Sequence, residues 1–570
     1  MSDKKDNINK LFRFFHFVTL CFILPCLQVL NAQSDDEISS ARKYLKTRGE
    51  VILRFRLPDA LTIHELTSNL SIDNKKGDTI TAYASEKQFN WLLDNQISFK
   101  VVLPRSLANP LQHHEKSTAR NWDAYPSYPD YFQMMESFTV QYPGQCILHE
   151  FGTSVNGRKL LAVKISDNPA EDEPEPVFLY TSTIHGDEGA GFVLTLRLID
   201  SLLTAYNSNS MIKQLVDNTE IWINPLSNPD GFYFNSDTFS FNSKRFNLNN
   251  VDLNRNYPDP VAGDHPDGHE WQPENVAMMK FMKEQRIILS ANLHDGAELV
   301  NYPWDCRFAR HADDDWYHAI SRQFADSVQQ YGPKNFFTDE DNGITNGYDW
   351  YSIYGGRQDY VNHFIHGREV TVELSHIKSP DPSLLPAYWE YYKRSLIGYI
   401  LHIQSGVHGT VADALSGESL EAMIEIPGYD KDSSQVFSSA ETGEFYRLLA
   451  SGDYSFTVKS PGYQSRQIEF SLTEKETKMM AVSLLPATTE FSYFPNPVTN
   501  TLSLILSDES KNDLSLTFYD ITGRITRRNM LPGIQGFATI TGLASLARGI
   551  YLVKIEHGSL IRTIKITKTP

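Results

Sequence analysis

Two histidines and one glutamate in this sequence have the side chains and the local spacing of metal ligands. His185 and Glu188 are three residues apart in the run Thr-Ile-His-Gly-Asp-Glu, and His294 ends the run Ala-Asn-Leu-His. This separation lets two side chains of one turn reach a single ion, and imidazole with carboxylate is a donor set that suits Zn²⁺. Any one of the three alone would be interpreted as an ordinary surface or core residue. As a set they predict one catalytic zinc ion with an open position for water.

Two more acidic residues would serve such a centre. Glu373 lies in the apolar run Thr-Val-Glu-Leu-Ser, where a carboxylate needs either a partner or a chemical task. Beside the water of the metal it could act as a general base and then protonate a leaving amine, whereas a buried ion pair is the structural alternative. Asp252 is expected to accept a hydrogen bond from the outer nitrogen of His185, and a turn cap is the alternative for it.

The elements that would carry these side chains alternate between strand and helix patterns. Buried strands are predicted at residues 176–183, 220–225, 286–293 and 370–374, and helices at 191–206 and 274–285. This alternation predicts that residues 121–404 form an α/β domain in which helices cover a mixed sheet. Catalytic side chains then belong at the ends of the strands, where such a sheet opens into a crevice.

Shorter strand patterns with turns between them replace the helical patterns after about residue 405. They predict a small all-β sandwich at residues 405–486 and a second small all-β sandwich at residues 490–570. Before the central domain, residues 33–120 are predicted to form a small unit, which is either a pro-segment that covers the active site or an accessory domain. The chain of 570 residues is too long for one hydrophobic core, which agrees with this division.

The first 32 residues have the organisation of a secretory signal peptide. A basic start precedes a mostly apolar run over residues 14–30, and cleavage is expected after Ala32. A membrane anchor is the alternative, but the run is short for a membrane span and is interrupted by His16 and Pro25.

Charge, hydropathy and cysteine content exclude several classes of protein. The formal net charge of −18, from 70 acidic and 52 basic residues, argues against nucleic acid and anionic membranes as partners. No later stretch resembles a membrane span, so no transmembrane segment is expected after removal of the signal. Cys146 and Cys306 would be the cysteines of the mature chain, which excludes a disulfide scaffold and leaves open whether these two bond.

The motifs of the central domain, in chain order, resemble those of the zinc carboxypeptidases of the carboxypeptidase A and B superfamily. The greatest similarity is to the regulatory subfamily that includes carboxypeptidases D, E, M and N. The matching runs are His185-Gly-Asp-Glu, Asn228-Pro-Asp-Gly-Phe, Asp252-Leu-Asn-Arg-Asn-Tyr-Pro-Asp, Asn292-Leu-His, Asn301-Tyr-Pro-Trp-Asp, Thr345-Asn-Gly-Tyr-Asp-Trp-Tyr, Gly355-Gly-Arg-Gln-Asp-Tyr and Thr371-Val-Glu-Leu-Ser. The resemblance implies a carboxypeptidase-like fold, one Zn²⁺ per chain, and removal of one residue from the carboxyl end of a peptide or protein.

The resemblance also implies roles for residues that would bind the substrate. Asn254 and Arg255 match the pair that binds the terminal carboxylate, for which a planar guanidinium is well suited. Arg245 matches the arginine that stabilises the oxyanion together with the zinc. Tyr351 matches a mobile tyrosine that closes over the substrate, and a core aromatic residue is the alternative for it.

A basic specificity is the expectation for the pocket that holds the last residue of the substrate. Asp305 and Gln358 match positions that line this pocket in the subfamily that prefers Lys and Arg. A carboxylate at the base of the pocket would favour a cationic side chain. Arg357 departs from the expected pattern, because an uncharged residue is expected beside Gln358. If Arg357 faced the pocket, its charge would offset that of Asp305 and weaken the preference.

Two further resemblances concern the all-β units. Residues 405–486 resemble the transthyretin-like domain that follows the catalytic domain in the regulatory subfamily, which implies support by packing. Residues 490–570 resemble the carboxy-terminal sorting domain of the type IX secretion system, through Phe494-Pro-Asn-Pro, Tyr519-Asp-Ile-Thr-Gly-Arg and Gly549-Ile-Tyr-Leu-Val-Lys-Ile. This implies an interaction with the type IX machinery and export to the surface or the exterior of a Gram-negative bacterium. A hydrolase of cell-wall peptides or other amides and a non-catalytic surface binding protein are the alternative functions.

Overall fold

A computed structural model describes residues 35–104, 122–238, 242–414, 416–487, 491–506 and 511–569, and the chain divides into two compact units, 1–104 and 105–570. The predicted signal peptide lies outside the described residues. Among the helices of the described ranges, none combines the length and the apolar composition that crossing a membrane requires.

The first unit contains a four-stranded antiparallel sheet in the order β2-β3-β1-β4. Its elements are α1 (Asp35–Arg48), β1 (Val51–Arg56), α2 (Ile63–Thr67), β2 (Ser71–Lys76), β3 (Thr79–Ala84), α3 (Glu86–Asp94) and β4 (Phe99–Val102). The sequence β1-α2-β2-β3-α3-β4 with this strand order is a ferredoxin-like arrangement. Capping boxes at Thr62 and Ser85 begin the two short helices, because each side chain accepts the third backbone N–H of its helix.

The central domain is built on an eight-stranded mixed sheet in the order β11-β10-β12-β9-β7-β8-β6-β5. Its strands are β5 (Cys146–Thr153), β6 (Lys159–Ile165), β7 (Val177–Ser182), β8 (Glu220–Asn224), β9 (Leu289–His294), β10 (Glu298–Tyr302), β11 (Ile344–Asn346) and β12 (Arg368–Leu374). Strands β8, β7, β9 and β12 run parallel at its centre, and β6 and β10 pair antiparallel to either side of them. The predicted α/β fold with a mixed sheet is confirmed.

Helices cover both faces of this sheet. The helices of this domain are α4 (Tyr128–Gln141), α5 (Ala190–Ala205), α6 (Ser210–Val216), α7 (Pro229–Phe232), α8 (Pro273–Glu284), α9 (Asp314–Tyr331), α10 (Asp339–Asn342), α11 (Gly347–Trp350), α12 (Arg357–Tyr360) and α13 (Leu385–Leu401). Successive residues of β7 point to opposite faces, so Phe178 and Tyr180 join the core that includes residues of α5 and α13, while Leu179 packs with Phe281 of α8. Coverage of both faces explains why the central strands are continuous apolar runs.

Two all-β units follow the central domain, as predicted. The first has sheets β16-β13-β19 and β15-β14-β17-β18, and the second has β20-β21-β24 and β23-β22-β25-β26. Their strands are β13 (Gly406–Asp413), β14 (Met423–Glu425), β15 (Val436–Phe437), β16 (Glu444–Arg447), β17 (Gly452–Lys459), β18 (Arg466–Leu472), β19 (Thr477–Leu484), β20 (Ser492–Phe494), β21 (Leu502–Ile505), β22 (Asn512–Asp520), β23 (Ile525–Ile534), β24 (Phe537–Ile540), β25 (Gly549–His557) and β26 (Leu560–Lys568). Each unit encloses its own apolar core, which includes Phe456 in the first and Phe518 in the second. We call the first unit the β-sandwich.

Candidate active site

The three predicted metal ligands meet at the carboxyl ends of two adjacent parallel strands. His185 and Glu188 lie in the turn between β7 and α5, and His294 is the last residue of β9, which pairs with β7. The Nδ1 atoms of His185 and His294 lie 2.9 and 2.8 Å from the two carboxylate oxygens of Glu188. One ligand atom from each residue lies within 4.8 Å of the others, and all three residues are buried. Donor atoms at about 2 Å from one zinc ion have such separations, so this set can hold a single ion.

Further polar groups hold the two imidazoles and the carboxylate in place. The outer nitrogen of His185 lies 3.1 Å from Oδ1 of Asp252, and that of His294 lies 2.7 Å from the side-chain amide of Asn292. The carboxylate of Asp252 accepts from the outer nitrogen of His185 and so leaves the inner nitrogen of that ring its lone pair, while Asn292 holds the ring of His294 in place. Asn292 was not predicted, although it lies two residues before His294 and therefore points to the same face of β9.

The electrostatic environment favours the protonation states that bind a metal. Burial alone would raise the pKa of Glu188, but the neighbouring His185, Lys378 and His294 hold that pKa well below its ordinary value. Burial lowers the pKa of His294 to about 4, so its imidazole is neutral near pH 7. Lys378 was also not predicted, and its Nζ donates to Glu188 over 2.9 Å. Lys378 lies after β12 in an irregular segment, where no periodic pattern of residues indicates which way a side chain points.

Glu373 lies beside this set. Strand β12 pairs in parallel with β9, and Glu373 is in register with His294, so both side chains leave the same face of the sheet. Gly296 borders Glu373, since a Cβ at Gly296 would lie 3.6 Å from Oε2 of that carboxylate. The absence of a side chain at Gly296 therefore leaves room around the predicted base.

Arg245 is the member of the pair Lys244-Arg245 that faces the ligand set. Its Nε donates to Asp252 over 3.0 Å, and its Nη1 lies 3.5 Å from Oε1 of Glu188. Lys244 instead donates to the side chain of Asn250 over 2.6 Å. Burial would raise the pKa of Asp252, but Arg245, His185 and Arg255 hold that pKa well below its ordinary value. Asp252 is thus an anion that joins Arg245 to His185.

The predicted carboxylate-binding pair follows Asp252 directly. The carboxylate of Asp252 accepts the backbone N–H of Asn254 over 3.0 Å and begins a short 3₁₀ turn, Leu253–Arg255. The side-chain oxygen of Asn254 accepts the backbone N–H of Arg357 over 2.9 Å, and Nη1 of Arg255 donates to the carbonyl of Asn254 over 2.9 Å. One aspartate therefore links this pair to the outer face of the metal ligands.

Asp305 is held by two amides in a space bordered by glycine. Its Oδ1 accepts from Nδ2 of Asn301 over 2.9 Å and from Nε2 of Gln358 over 3.1 Å. A Cβ at Gly347 would lie 1.7 Å from that same oxygen, so glycine is required there. Burial, and then the charge of Asp359, raise the pKa of Asp305 well above its ordinary value. A cationic ligand at this carboxylate would favour its ionised form.

Arg357 does not compete for Asp305. Its guanidinium donates to both oxygens of Glu369 over 3.0 and 2.6 Å and also to the hydroxyl of Thr181. Both charged side chains are fully buried, so the charge of Arg357 is balanced by Glu369.

Two other sequence expectations concern residues outside the ligand set. Tyr351 is 5% exposed and packs against Trp350, with ring centroids 4.7 Å apart. Cys146 and Cys306 are both buried free thiols, so the disulfide that the sequence left open is not formed.

Comparisons with known proteins agree with these arrangements. A family model described as zinc carboxypeptidase matches residues 131–395. Mouse carboxypeptidase M is 34% identical over 366 residues, which cover 61% of this chain and 81% of that protein, and carboxypeptidase SOL1 of Arabidopsis thaliana is 33% identical over 60% and 68% of the two chains. This chain belongs to the zinc carboxypeptidase family.

Three further comparisons concern a longer relative of this zinc carboxypeptidase, a solved structure and the last β unit. Human carboxypeptidase D is 35% identical over 64% of this chain, but the match spans 27% of the length of that protein. The solved carboxypeptidase A of Helicoverpa armigera is 19% identical, with a TM-score of 0.49, over 62% of this chain and 98% of that one. A family model described as a secretion system C-terminal sorting domain matches residues 492–569. This match confirms the predicted sorting domain and a secreted or cell-surface location.

Zinc fits the residues that are present. The family uses one catalytic zinc, and the donor set of two imidazoles and one carboxylate is typical of such sites. The outer partners Asp252 and Asn292 hold both rings in the orientation that a metal needs.

Proposed function

We propose that this protein is a zinc-dependent carboxypeptidase that hydrolyses the last peptide bond of peptides or proteins and prefers Lys or Arg as the residue released. The observation that supports this best is the connection through Asp252, which contacts both a ligand histidine and the turn that carries Asn254 and Arg255. Asp252 connects the zinc ligands to the pair that would bind the terminal carboxylate. The distance between the metal and the chain end of the substrate is therefore fixed, which favours cleavage of the last peptide bond. This is the geometric requirement for an exopeptidase.

The residues of the chain divide the chemistry among them. Bound by His185, Glu188 and His294, zinc would act as a Lewis acid and lower the pKa of water. Glu373 takes the proton of the attacking water and returns it to the leaving amine. Arg245 stabilises the negative charge that develops on the carbonyl oxygen.

Substrate orientation depends on a second group of residues. Arg255 binds the terminal carboxylate through its planar guanidinium, with Asn254 beside it. Asp305 pairs with the cationic side chain of the last residue, and Gln358 holds that carboxylate in position. Tyr351 closes over the bound peptide.

The decisive experiment compares hippuryl-Arg with hippuryl-Phe, before and after treatment with a chelator. We expect hydrolysis of hippuryl-Arg to exceed that of hippuryl-Phe, to stop on chelation and to return with added Zn²⁺. Chelator-resistant hydrolysis would refute the zinc mechanism. Cleavage of muropeptides without cleavage of either hippuryl substrate would instead favour a cell-wall amidase, and binding without any turnover would favour a non-catalytic protein.

A further inference from the structure

A loop of the β-sandwich, residues 430–434, docks against the central domain close to the specificity pocket. Three successive carbonyls of this loop, at residues 432–434, accept hydrogen bonds from Nδ1 of His363, Nδ1 of His366 and Nη2 of Arg368, over 3.0, 2.8 and 2.7 Å. His363 and His366 lie in the segment that leads into β12, the strand that carries Glu373, and Arg368 is its first residue. The loop is therefore bonded through its main chain to one side of the catalytic framework.

The backbone of this loop is unusual at the point of contact. Asp432 and Ser433 have φ values of 52° and 68°, which lie in the left-handed region that residues other than glycine adopt infrequently. Two successive residues of this kind carry an energetic cost that the surrounding structure must offset. The bonds to His363 and His366 are among the contacts that can do so, and they hold the loop against this interface.

Asp432 holds two different residues that pack on one buried tryptophan. Its carboxylate accepts from Nη1 of Arg307 over 2.5 Å, and its carbonyl accepts from His363. The guanidinium carbon of Arg307 lies 5.3 Å from the ring centroid of Trp304, and the ring of His363 lies 6.2 Å from it in an edge-on contact. Trp304 is fully buried. One sandwich residue thus contacts two of the side chains that pack on this ring.

Trp304 directly precedes Asp305, and little displacement of Asp305 can be tolerated. The carbonyl of Trp304 accepts the backbone N–H of Tyr348, the residue after Gly347. A Cβ at Gly347 would overlap Oδ1 of Asp305, so this carboxylate lies directly against the main chain of the opposite wall. A shift of Trp304 would therefore move the charge that selects the substrate.

The β-sandwich also holds the other end of the segment that begins at Trp304, at Asp313. Asp313, which is fully buried, accepts two hydrogen bonds from Arg447 of β16 over 2.7 and 2.9 Å and one from Arg368 over 2.8 Å. Removing one partner of a buried ion pair strands the other charge, so variants at Asp313 or Arg447 would unfold the interface. The Arg307–Asp432 pair is partly exposed, with side chains 19% and 27% accessible, and is the better position for a test.

We infer that Asp432 is a positioning residue for the specificity pocket, which acts on Asp305 through Arg307, His363 and Trp304. The β-sandwich then contributes to the choice of the terminal residue without contacting the substrate. This inference rests on the proposed function in one respect, since it takes the residue selected by Asp305 to be Lys or Arg.

Asp432→Asn is the matched variant, because asparagine tolerates the left-handed backbone and keeps the carbonyl that binds His363. In the full-length zinc enzyme we expect KM for hippuryl-Arg to rise roughly fivefold, with kcat unchanged within about twofold and the kinetics of hippuryl-Phe unaffected. Arg307→Gln should reproduce this result, and the double variant should be no worse than either single one. Glu425→Gln is the control, since it removes a carboxylate from an exposed ion pair with Lys459 in the same sandwich.

Amide hydrogen exchange over residues 303–313 gives a second measurement that does not require turnover. Asp432→Asn should increase exchange in this segment, and Glu425→Gln should not. If the wild-type enzyme cleaved neither hippuryl substrate, the proposed function would fail, and exchange alone would decide the positioning role. Unchanged exchange in Asp432→Asn, or an equal rise of KM for both substrates, would overturn the inference.

Discussion

Asp305→Asn removes the charge that would pair with a terminal Arg or Lys while keeping a side chain of the same shape. The amides of Asn301 and Gln358 converge on Oδ1, so an asparagine oxygen can still accept their hydrogen bonds. The variant therefore isolates the contribution of the charge from that of the pocket shape.

The size of the effect follows from the burial of this carboxylate, which is 2% exposed. Two unit charges 4 Å apart interact by about 4 kcal/mol at an effective dielectric constant of about 20. Dehydration of the substrate cation offsets part of this energy, and about 2–3 kcal/mol remains, which corresponds to roughly 30- to 150-fold. We expect kcat/KM for hippuryl-Arg to fall by this factor and kcat/KM for hippuryl-Phe to stay the same or rise.

The assay compares initial rates on both substrates for the wild type, Asp305→Asn and the control Asp349→Asn. Asp349 lies in α11, next to the pocket, and forms an exposed ion pair with Arg310, so it reports a general loss of negative charge nearby. An Arg-to-Phe ratio that did not change in Asp305→Asn would refute the assignment of Asp305 as the selective charge. An equal change in the Asp349 variant would show that selection depends on the overall field rather than on this pocket.

Four other outcomes are expected. Burial and the charge of Asp359 raise the pKa of Asp305, so this carboxyl gains its negative charge at a higher pH than an ordinary aspartate. KM for hippuryl-Arg should therefore decrease as pH rises, and Asp305→Asn should abolish this pH dependence. Glu373→Gln should retain zinc, measured by metal analysis, but lower kcat by about 10²- to 10⁴-fold, and retained turnover would contradict its role as base. Gly347→Ala would push a methyl group into Oδ1 of Asp305, so it should impair hippuryl-Arg more than hippuryl-Phe. Arg255→Lys keeps the charge but loses the planar fork, so KM should rise roughly tenfold, while a KM equal to that of the wild type would argue against carboxylate binding by Arg255.

Much of the framework was predictable because it depends on local patterns. Helices predicted at 191–206 and 274–285 occur at Ala190–Ala205 and Pro273–Glu284, and the apolar runs around 178, 290 and 371 are the central strands. Apolar residues in a fully covered sheet form continuous runs, which are visible in one sequence. The convergence of His185, Glu188 and His294 was predictable for a related reason, since parallel neighbouring strands bring their carboxyl ends together.

Some side-chain partners were not predictable, because tertiary packing and the course of irregular loops decide them. No sequence pattern pairs Arg357 with Glu369, and this pair means that Glu369 rather than Asp305 balances the charge of Arg357. Likewise, Lys244 and Arg245 are chemically similar neighbours, and only the fold shows which of them faces the metal ligands. Lys378 and Asp432 lie in irregular segments, where no periodicity constrains the direction of a side chain.

The order of residue types along this chain was sufficient to determine the kind of chemistry, the layered α/β architecture and the presence of two β units. Each of these depends on local composition, on the period of apolar residues or on short motifs. The tertiary structure alone decided which charges neutralise one another and which loop of the β-sandwich bonds to the segment around the start of β12. Some of those pairings join residues more than a hundred positions apart, such as Arg307 and Asp432, and their energies exist only when packing has excluded water and brought the groups into contact.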